Sequence, residues 1–321
     1  MMPRLDFAPL DGITKVVFRR VWHRHFGGAD RYFIPFFSPT DQHILTQRDR
    51  RELDPEANGG LPLVPQVMTR RAPDFLWAAE LVEQMGYREV NLNLGCPSGT
   101  VTAKGKGSGF LADPDGLDRF FDEVFSQVHL PVSVKTRLGI QDPAEFSRLM
   151  EIYNRYPIAC LTIHPRVQKE KYRGTVHRDV FHQAFCQSRN PVCYNGDLRT
   201  IEEVESLRRE IPDLEALMIG RGAVADPALL RKLRGGAPAT REELMAFTKD
   251  LYQAYQEFYG QAATASQRMK EVWFYLIHLF EGGEKLDKQL RRSRGPAAYE
   301  ALEAAIFAQL PLRDHSEGAL I

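Results

Sequence analysis

The chain alternates short apolar runs with longer stretches of helical period, and it repeats this eight times before the pattern stops. A run of about four to eight apolar residues bounded by turn residues suits a strand buried on both faces, and apolar positions three and four apart give the helix that covers it. The candidate strands are Arg4 to Ala8, Arg31 to Phe36, Leu63 to Met68, Glu89 to Leu92, Val132 to Lys135, Cys160 to His164, Val192 to Asn195 and Ala216 to Ile219. Helices are predicted at Lys15 to His25, Pro73 to Met85, Pro114 to Gln127, Pro143 to Tyr153, Ile201 to Arg209 and Pro227 to Arg234. Several start on a proline, whose missing N–H costs nothing in a first turn. Eight such units match the size of an α/β (β/α)8 TIM barrel; a doubly wound open sheet is the competing arrangement.

The punctuation changes at Arg234-Gly235-Gly236-Ala237-Pro238. Beyond it Arg241 to Tyr259, Ser266 to Phe280 and Ala297 to Leu310 read as helices with no strand between them. The expectation is a barrel over residues 1–236 and an appended C-terminal helical domain over 237–321, as suits 321 residues when a single core stops growing near ~250–300. The densest basic run, Lys285, Lys288, Arg291, Arg292 and Arg294, opposed by Asp287, falls in the helical part.

Lys plus Arg and Asp plus Glu both number 42, so net charge announces no polyanion partner, and any nucleic-acid surface must be a local patch. The four cysteines form no C-x-x-C pair, which points away from a metal site or disulfide framework and toward a reducing cytosol. Without a signal-like N-terminus or an apolar run of ~18 residues, a cytoplasmic protein outside the membrane is expected.

In a barrel, chemistry gathers at the C-terminal ends of strands. A lone Lys there is ordinarily a solvated tip and a lone His a packing residue, but here Gln66, Asn93, Cys96, Lys135, His164, Asn195 and Asp197 all fall at or just after strand ends. Such convergence is what a cofactor site in a barrel mouth requires. The last two loops, Asn195-Gly196-Asp197 and Gly220-Arg221-Gly222, are where barrels commonly hold a phosphate, and an FMN phosphate is the natural occupant. Gly105-Lys106-Gly107-Ser108-Gly109 lacks the G-x-G-x-x-G spacing of a tightly bound dinucleotide, so a nicotinamide would visit only as a transient reductant.

The most specific stretch is Asn91-Leu92-Asn93-Leu94-Gly95-Cys96-Pro97-Ser98, continued by Val101, Gly105, Gly107 and Leu111. Together with Ala8-Pro9-Leu10-Asp11-Gly12, Ser133-Val134-Lys135-Thr136-Arg137 and Met218-Ile219-Gly220-Arg221-Gly222, it resembles the tRNA-dihydrouridine synthase family. Arg268-Met269-Lys270 with Trp273 is similar to a weaker pattern of the same family. Departures are His164-Pro165-Arg166-Val167, where a small residue and threonine are usual around His-x-Arg, and Ser108, where alanine is common.

The resemblance implies an FMN-binding catalytic barrel and a helical domain that grip tRNA, reducing uridine to 5,6-dihydrouridine with NADPH as reductant. Carried over by position, Pro9, Leu10, Asp11, Gln66, Lys135, His164, Asn195, Gly196, Asp197, Gly220 and Arg221 would hold the flavin. Cys96 would protonate the base, since a thiol of ordinary pKa ~8.5 stays protonated at neutral pH. Asn93, Lys104, Arg166, Arg268, Lys270, Lys288, Arg291 and Arg292 are the substrate and RNA candidates, with Lys106, Lys169, Lys171 and Arg173 nearby. A metal is not expected, and a monomer is. Two other readings stay open: an FMN barrel acting on a free pyrimidine or enone, and a non-catalytic RNA-binding flavoprotein.

Overall fold

Pro65 interrupts the third predicted strand, and the interruption marks where the sheet meets itself. The structure, a computed structural model, describes residues 2–317. Its strands are β1 (Arg4–Phe7), β2 (Arg31–Phe33), β3 (Leu63–Val64), β4 (Gln66–Val67), β5 (Val90–Leu94), β6 (Val132–Arg137), β7 (Leu161–His164), β8 (Val192–Tyr194) and β9 (Ala216–Ile219). All pair in parallel, in the order β3-β2-β1-β9-β8-β7-β6-β5-β4. The two ends of that order, β3 and β4, are separated by Pro65 alone, whose missing N–H breaks the ladder. On one side the Val64 carbonyl accepts from Ile34 N at 3.0 Å, and on the other the Pro65 carbonyl accepts from Asn91 N at 2.9 Å. β3 and β4 are thus one stave, and the sheet closes as an eight-stave barrel.

Alternation along each strand builds the interior. Val90, Leu92, Leu94, Val132 and Val134 face the helix layer, where Phe7 meets Trp22 at 4.6 Å between rings. The opposite face fills the barrel. At the N-terminal ends Arg4 and Arg31 both pair with the fully buried Asp6, at 3.1 and 2.9 Å, and Arg31 reaches Glu89 at 2.6 Å. Above this charged floor lies an apolar plug of Ala8, Phe33, Val64, Cys160, Cys193, Ala216 and Met218. Polar residues facing the axis above the plug therefore point into the mouth.

Strand boundaries moved little from expectation, with one consequence: β5 continues to Leu94, so Asn93 is an inward residue of the strand rather than part of the loop after it. Helices not predicted include Gln47–Leu53 and Arg178–Gln187, the short Gly99–Thr102 and Arg221–Ala225, and in the C-terminal part Glu284–Arg292, which carries most of the basic run. The other C-terminal helices are Arg241–Tyr259, Ala262–Leu276 and Pro296–Gln309. Thr240 and Glu243 form a capping box at the start of the first, and Gly260, at φ 67°, ends it. That helix packs on the barrel helix Val16–His25, where Phe247 meets Phe26 at 5.2 Å and Phe18 at 6.1 Å. Among the described residues no helix is long and apolar enough to cross a membrane.

Candidate active site

The C-terminal ends of the strands surround a cavity of about 1010 Å³. Pro9, Leu10, Asp11, Gln66, Asn93, Cys96, Lys135, His164, Arg166, the Asn195–Asp197 loop and Gly220–Arg221 all line it. The structure thus gathers every residue that the sequence assigned to a cofactor, plus the acid candidate, around one space.

Cys96 is held by a tightly folded loop. Asn93 Oδ1 accepts from the Gly95 and Cys96 N–H groups at 3.0 and 2.9 Å, while its Nδ2 donates to Gln66 Oε1 at 2.7 Å. Asn93 is 6% exposed, and its oxygen is committed to shaping the Cys96 turn. The Ser108 hydroxyl, at the position where the sequence departs from the family pattern, donates to the Cys96 carbonyl at 2.8 Å. Gly107 has φ 57°, and a Cβ there would lie 2.8 Å from that carbonyl, so only glycine lets the loop fold back this closely. Burial raises the Cys96 thiol above its ordinary pKa, against the opposing Ser98 N–H and the nearby Arg137 and Lys135 charges.

Lys135 reaches into the mouth from β6. Its surface opens on the cavity while protein encloses it on the other sides. This burial, joined by the Arg137 charge, pushes its ammonium down to about 8, so it is still mostly charged at neutral pH. Burial also pushes His164 well below its ordinary value, with Arg137, Lys135, Arg166 and Arg221 acting in the same direction. The imidazole is therefore neutral. Its Nε2 lies 3.2 Å from Arg166 Nη1, which can only donate, so Nε2 is the acceptor and the ring proton sits on Nδ1.

Asp197 organises the opposite wall. It accepts from Arg166 at 3.1 and 2.5 Å and from Arg221 at 2.8 Å. Burial alone would raise its carboxyl, but the two guanidiniums outweigh that and hold it below the usual range. Arg166 is 1% exposed and also donates to the Arg173 and Gly174 carbonyls. Its donors are spent on the protein, and Arg166 is a buried strut that fixes Asp197 and His164. The Leu10 N–H is likewise occupied, by Thr14 Oγ1 at 2.8 Å, leaving Pro9 to Asp11 to contribute shape and the half-exposed Asp11 carboxylate.

The remaining RNA candidates divide. Lys104, Lys288 and Arg292 are exposed. Arg268 pairs with Glu271 at 2.8 Å and lies over the Tyr259 ring, and Lys270 donates to the Ser293 carbonyl at 3.0 Å. Arg291 pairs with Asp287 and lies 5.5 Å over the Phe274 ring.

Among the lining residues that sequence reasoning assigned no role are Arg137, Tyr172 and Tyr275. Arg137 donates to the carbonyls of Gly95 at 2.8 Å and Lys171 at 2.6 Å, tying the Cys96 turn to the loop after β7. Tyr172 stands in that loop, 41% exposed, with Arg137 and Arg221 at 5.2 and 4.8 Å from its ring. Tyr275 enters the cavity wall from Ala262–Leu276. The available signal was Lys171-Tyr172-Arg173, an aromatic ring between two cations, which is a nucleic-acid-binding composition.

A protein-family model described as dihydrouridine synthase (Dus) matches residues 6–309. The chain is 30% identical over 295 residues to a probable tRNA-dihydrouridine synthase 1 of Synechocystis sp., covering 88% of this chain and 80% of that one. It is also 30% identical over 241 residues to a tRNA-dihydrouridine(16) synthase of Ralstonia nicotianae, covering 73% of each. Among solved structures, morphinone reductase superposes with a TM-score of 0.53 at 14% identity, covering 74% of this chain and 87% of that one. A 2-naphthoyl-CoA reductase superposes with a TM-score of 0.55 at 11% identity, over 73% of this chain and 50% of that one. At these identities the structural likeness speaks for the barrel fold alone.

Proposed function

The chain belongs to the dihydrouridine synthase family, and from that premise we propose that it is a tRNA-dihydrouridine synthase, with FMN in the barrel mouth, NADPH as reductant and Cys96 as the acid. The observation that carries the reading is the convergence of a protonated thiol, a cationic floor and a cationic wall on one cavity large enough for a flavin and a base together.

The donor set fits FMN. A flavin ring presents acceptors along its pyrimidine edge, and Lys135 and the second N–H of the Gln66 amide offer donors from the floor. The phosphate needs positive charge and N–H groups at the last two loops. Arg166 and Arg221 against Asp197 leave one net positive charge there, beside the Gly196 and Gly220 backbone. Lys135 would hold the negative charge of the reduced ring. His164, neutral and with its proton on Nδ1, can hydrogen-bond without adding a further charge.

Reduced flavin, when bound, supplies a hydride for C6 of uracil. Charge then develops toward C5 and the C4 carbonyl, so C5 needs a proton. The Cys96 thiol, kept protonated by burial, delivers it from Sγ, and its thiolate is recharged from solvent through the open mouth. Asn93, Ser108 and Gly107 keep the thiol in place.

The uridine must leave its stack to enter. Tyr172 and Tyr275 at the mouth are suited to stack on an extruded base. Phe274, next in sequence to Tyr275, carries Arg291 on its ring, so the basic helix Glu284–Arg292 packs beside the helix that supplies Tyr275. The exposed Lys288 and Arg292 there, with the exposed Lys104, would contact phosphates, and residues 237–321 would serve as the RNA-gripping part.

The test is reoxidation of NADPH-reduced protein by unmodified tRNA, with mass spectrometry for a gain of two hydrogens at one uridine. Faster reoxidation by tRNA than by free uracil is expected. Equal rates would transfer the function to small pyrimidines, and no turnover with either would leave a binding protein.

A further inference from the structure

Beneath Cys96 runs a chain of buried side-chain amides whose direction can be deduced. The backbone N–H groups of Gly95 and Cys96 can only donate, so the Asn93 atom facing them is its oxygen. Its Nδ2 must then face Gln66, which answers with Oε1 at 2.7 Å. Gln66 is left with Nε2 on its other side, donating to Asn91 Oδ1 at 2.7 Å. Asn91 in turn points Nδ2 at the Ser133 hydroxyl, 2.8 Å away. Two backbone donors thus set the orientation of three amides that diffraction alone leaves ambiguous. Gln66, Asn91 and Ser133 are each 0–1% exposed, so none can exchange a lost partner for bulk water.

We infer that Asn91 and Ser133, which do not line the cavity, are positioning residues that act through Gln66 and Asn93 on two things together: the orientation of the Gln66 amide at the cavity floor and the seating of the Cys96 turn. If Asn91 offers no acceptor, Gln66 Nε2 is orphaned. The amide then loses the bond that anchors its orientation, and any turn of Nε2 toward another acceptor moves Oε1 off Asn93 Nδ2 and brings a donor toward that nitrogen, itself a donor. That clash can be relieved only by turning Asn93, which withdraws the oxygen holding Gly95 N and Cys96 N. A fault two residues below the cavity therefore arrives at the acid as a loosened loop.

The inference about the flavin side rests on the proposed function, whereas the thiol side does not, and the experiment separates them. In full-length protein, alkylation of Cys96 by iodoacetamide is followed against pH by peptide mass spectrometry, which distinguishes it from the exposed Cys186. Asn91→Leu, close in size and without the acceptor, is expected to raise the Cys96 rate about fivefold, the scale of one lost buried hydrogen bond, and to move its pH midpoint downward as the turn opens. Asn91→Asp still accepts from Gln66, with the Ser133 hydroxyl turned to donate, and is expected to restore the wild-type profile. On FMN-loaded protein the Leu variant should also shift the flavin absorbance bands, and the Asp variant should do so less. A wild-type alkylation profile in Asn91→Leu, or equal changes in Leu and Asp variants, overturns the inference. If Asn91→Leu does not yield folded protein, Ser133→Ala takes its place, with a smaller change in the same direction expected and no change counting against the proposal. Failure to bind FMN with the alkylation result intact would sink the proposed function and leave the amide chain standing.

Discussion

Replacing Asp197 with asparagine isolates the charge that holds two guanidiniums together. The side chain keeps its shape and one acceptor oxygen, so the change falls on electrostatics. Asp197 meets Arg166 at 2.5 Å and Arg221 at 2.8 Å, and the Arg166 side chain is 1% exposed. With charge centres ~4 Å apart and an effective dielectric near 20, each pair is worth about 4 kcal/mol before desolvation. Against about 8 kcal/mol for the two pairs together, asparagine retains about 1 kcal/mol of hydrogen bonding and its burial spares roughly 4 kcal/mol of the carboxylate's desolvation. The net loss should be about 3 kcal/mol, the lower end for removing one partner of a buried pair. At an unfolding entropy of ~2.1 cal/mol/K per residue, a chain of this length loses roughly 1.5 °C per kcal/mol, so Tm should fall by about 4–5 °C at pH 7. Because the folded carboxyl lies below its unfolded value, this stabilisation is complete above the unfolded pKa of ~3.9 and is lost as pH falls through the folded one. Scanning calorimetry of both proteins from pH 7 downward should show a gap that narrows in acid. A variant as stable as wild type at pH 7, or a gap constant into acid, would refute the reasoning.

Cys96→Ala should leave FMN binding and reduction by NADPH unchanged and slow dihydrouridine formation by about 10²–10⁴, measured in single turnover; a tenfold or smaller loss would remove the thiol from the acid role. Lys135 loses its charge as pH rises through about 8, so flavin reduction by NADPH should decline above that pH in wild type, and in Lys135→Met this limb should be absent. The same depressed value means that Lys135 lowers stability below pH 8 relative to pH 10, which urea titration at the two pH values can check. Gly107→Ala adds a Cβ against the Cys96 carbonyl at a positive φ, and should cost about 1–3 kcal/mol in chemical denaturation together with most of the turnover. Lys288→Ala and Arg292→Ala should each weaken tRNA binding across sequences and reduce the slope of log K against log salt by about 1, with unchanged slopes assigning the RNA surface elsewhere.

The barrel was legible because its strands are buried on both faces and leave continuous apolar runs in the sequence. Gln47–Leu53, with the sequence QRDRREL, has no apolar stripe to betray it and forms on a Thr46 cap and a buried Glu52 that pairs with Arg19 at 3.2 Å. Glu284–Arg292 was hidden for the same reason, its buried face being little more than Asp287 and Leu290. That the cofactor candidates would gather around one cavity was readable from position on strand ends. The partners of Arg166 and Asn93 were not, because a cation and an amide look alike in sequence whether they face solvent or are saturated by carbonyls and backbone N–H groups. Tyr275 could not have been found from strand positions, since it comes from a helix of the C-terminal part.

The seam between β1 and β9, where Arg4 to Phe7 lie beside Ala216 to Ile219, joins the beginning of the barrel to its last stave. On a ribosome that adds residues one at a time, the first strand must wait with an open edge until nearly the whole barrel has emerged, and the wall at Tyr275 is added later still. The site is therefore complete only once the last stave and the helix carrying Tyr275 have both been made, and a chain stopped after Gly236 holds most of the residues of the site without the last side of the space they surround.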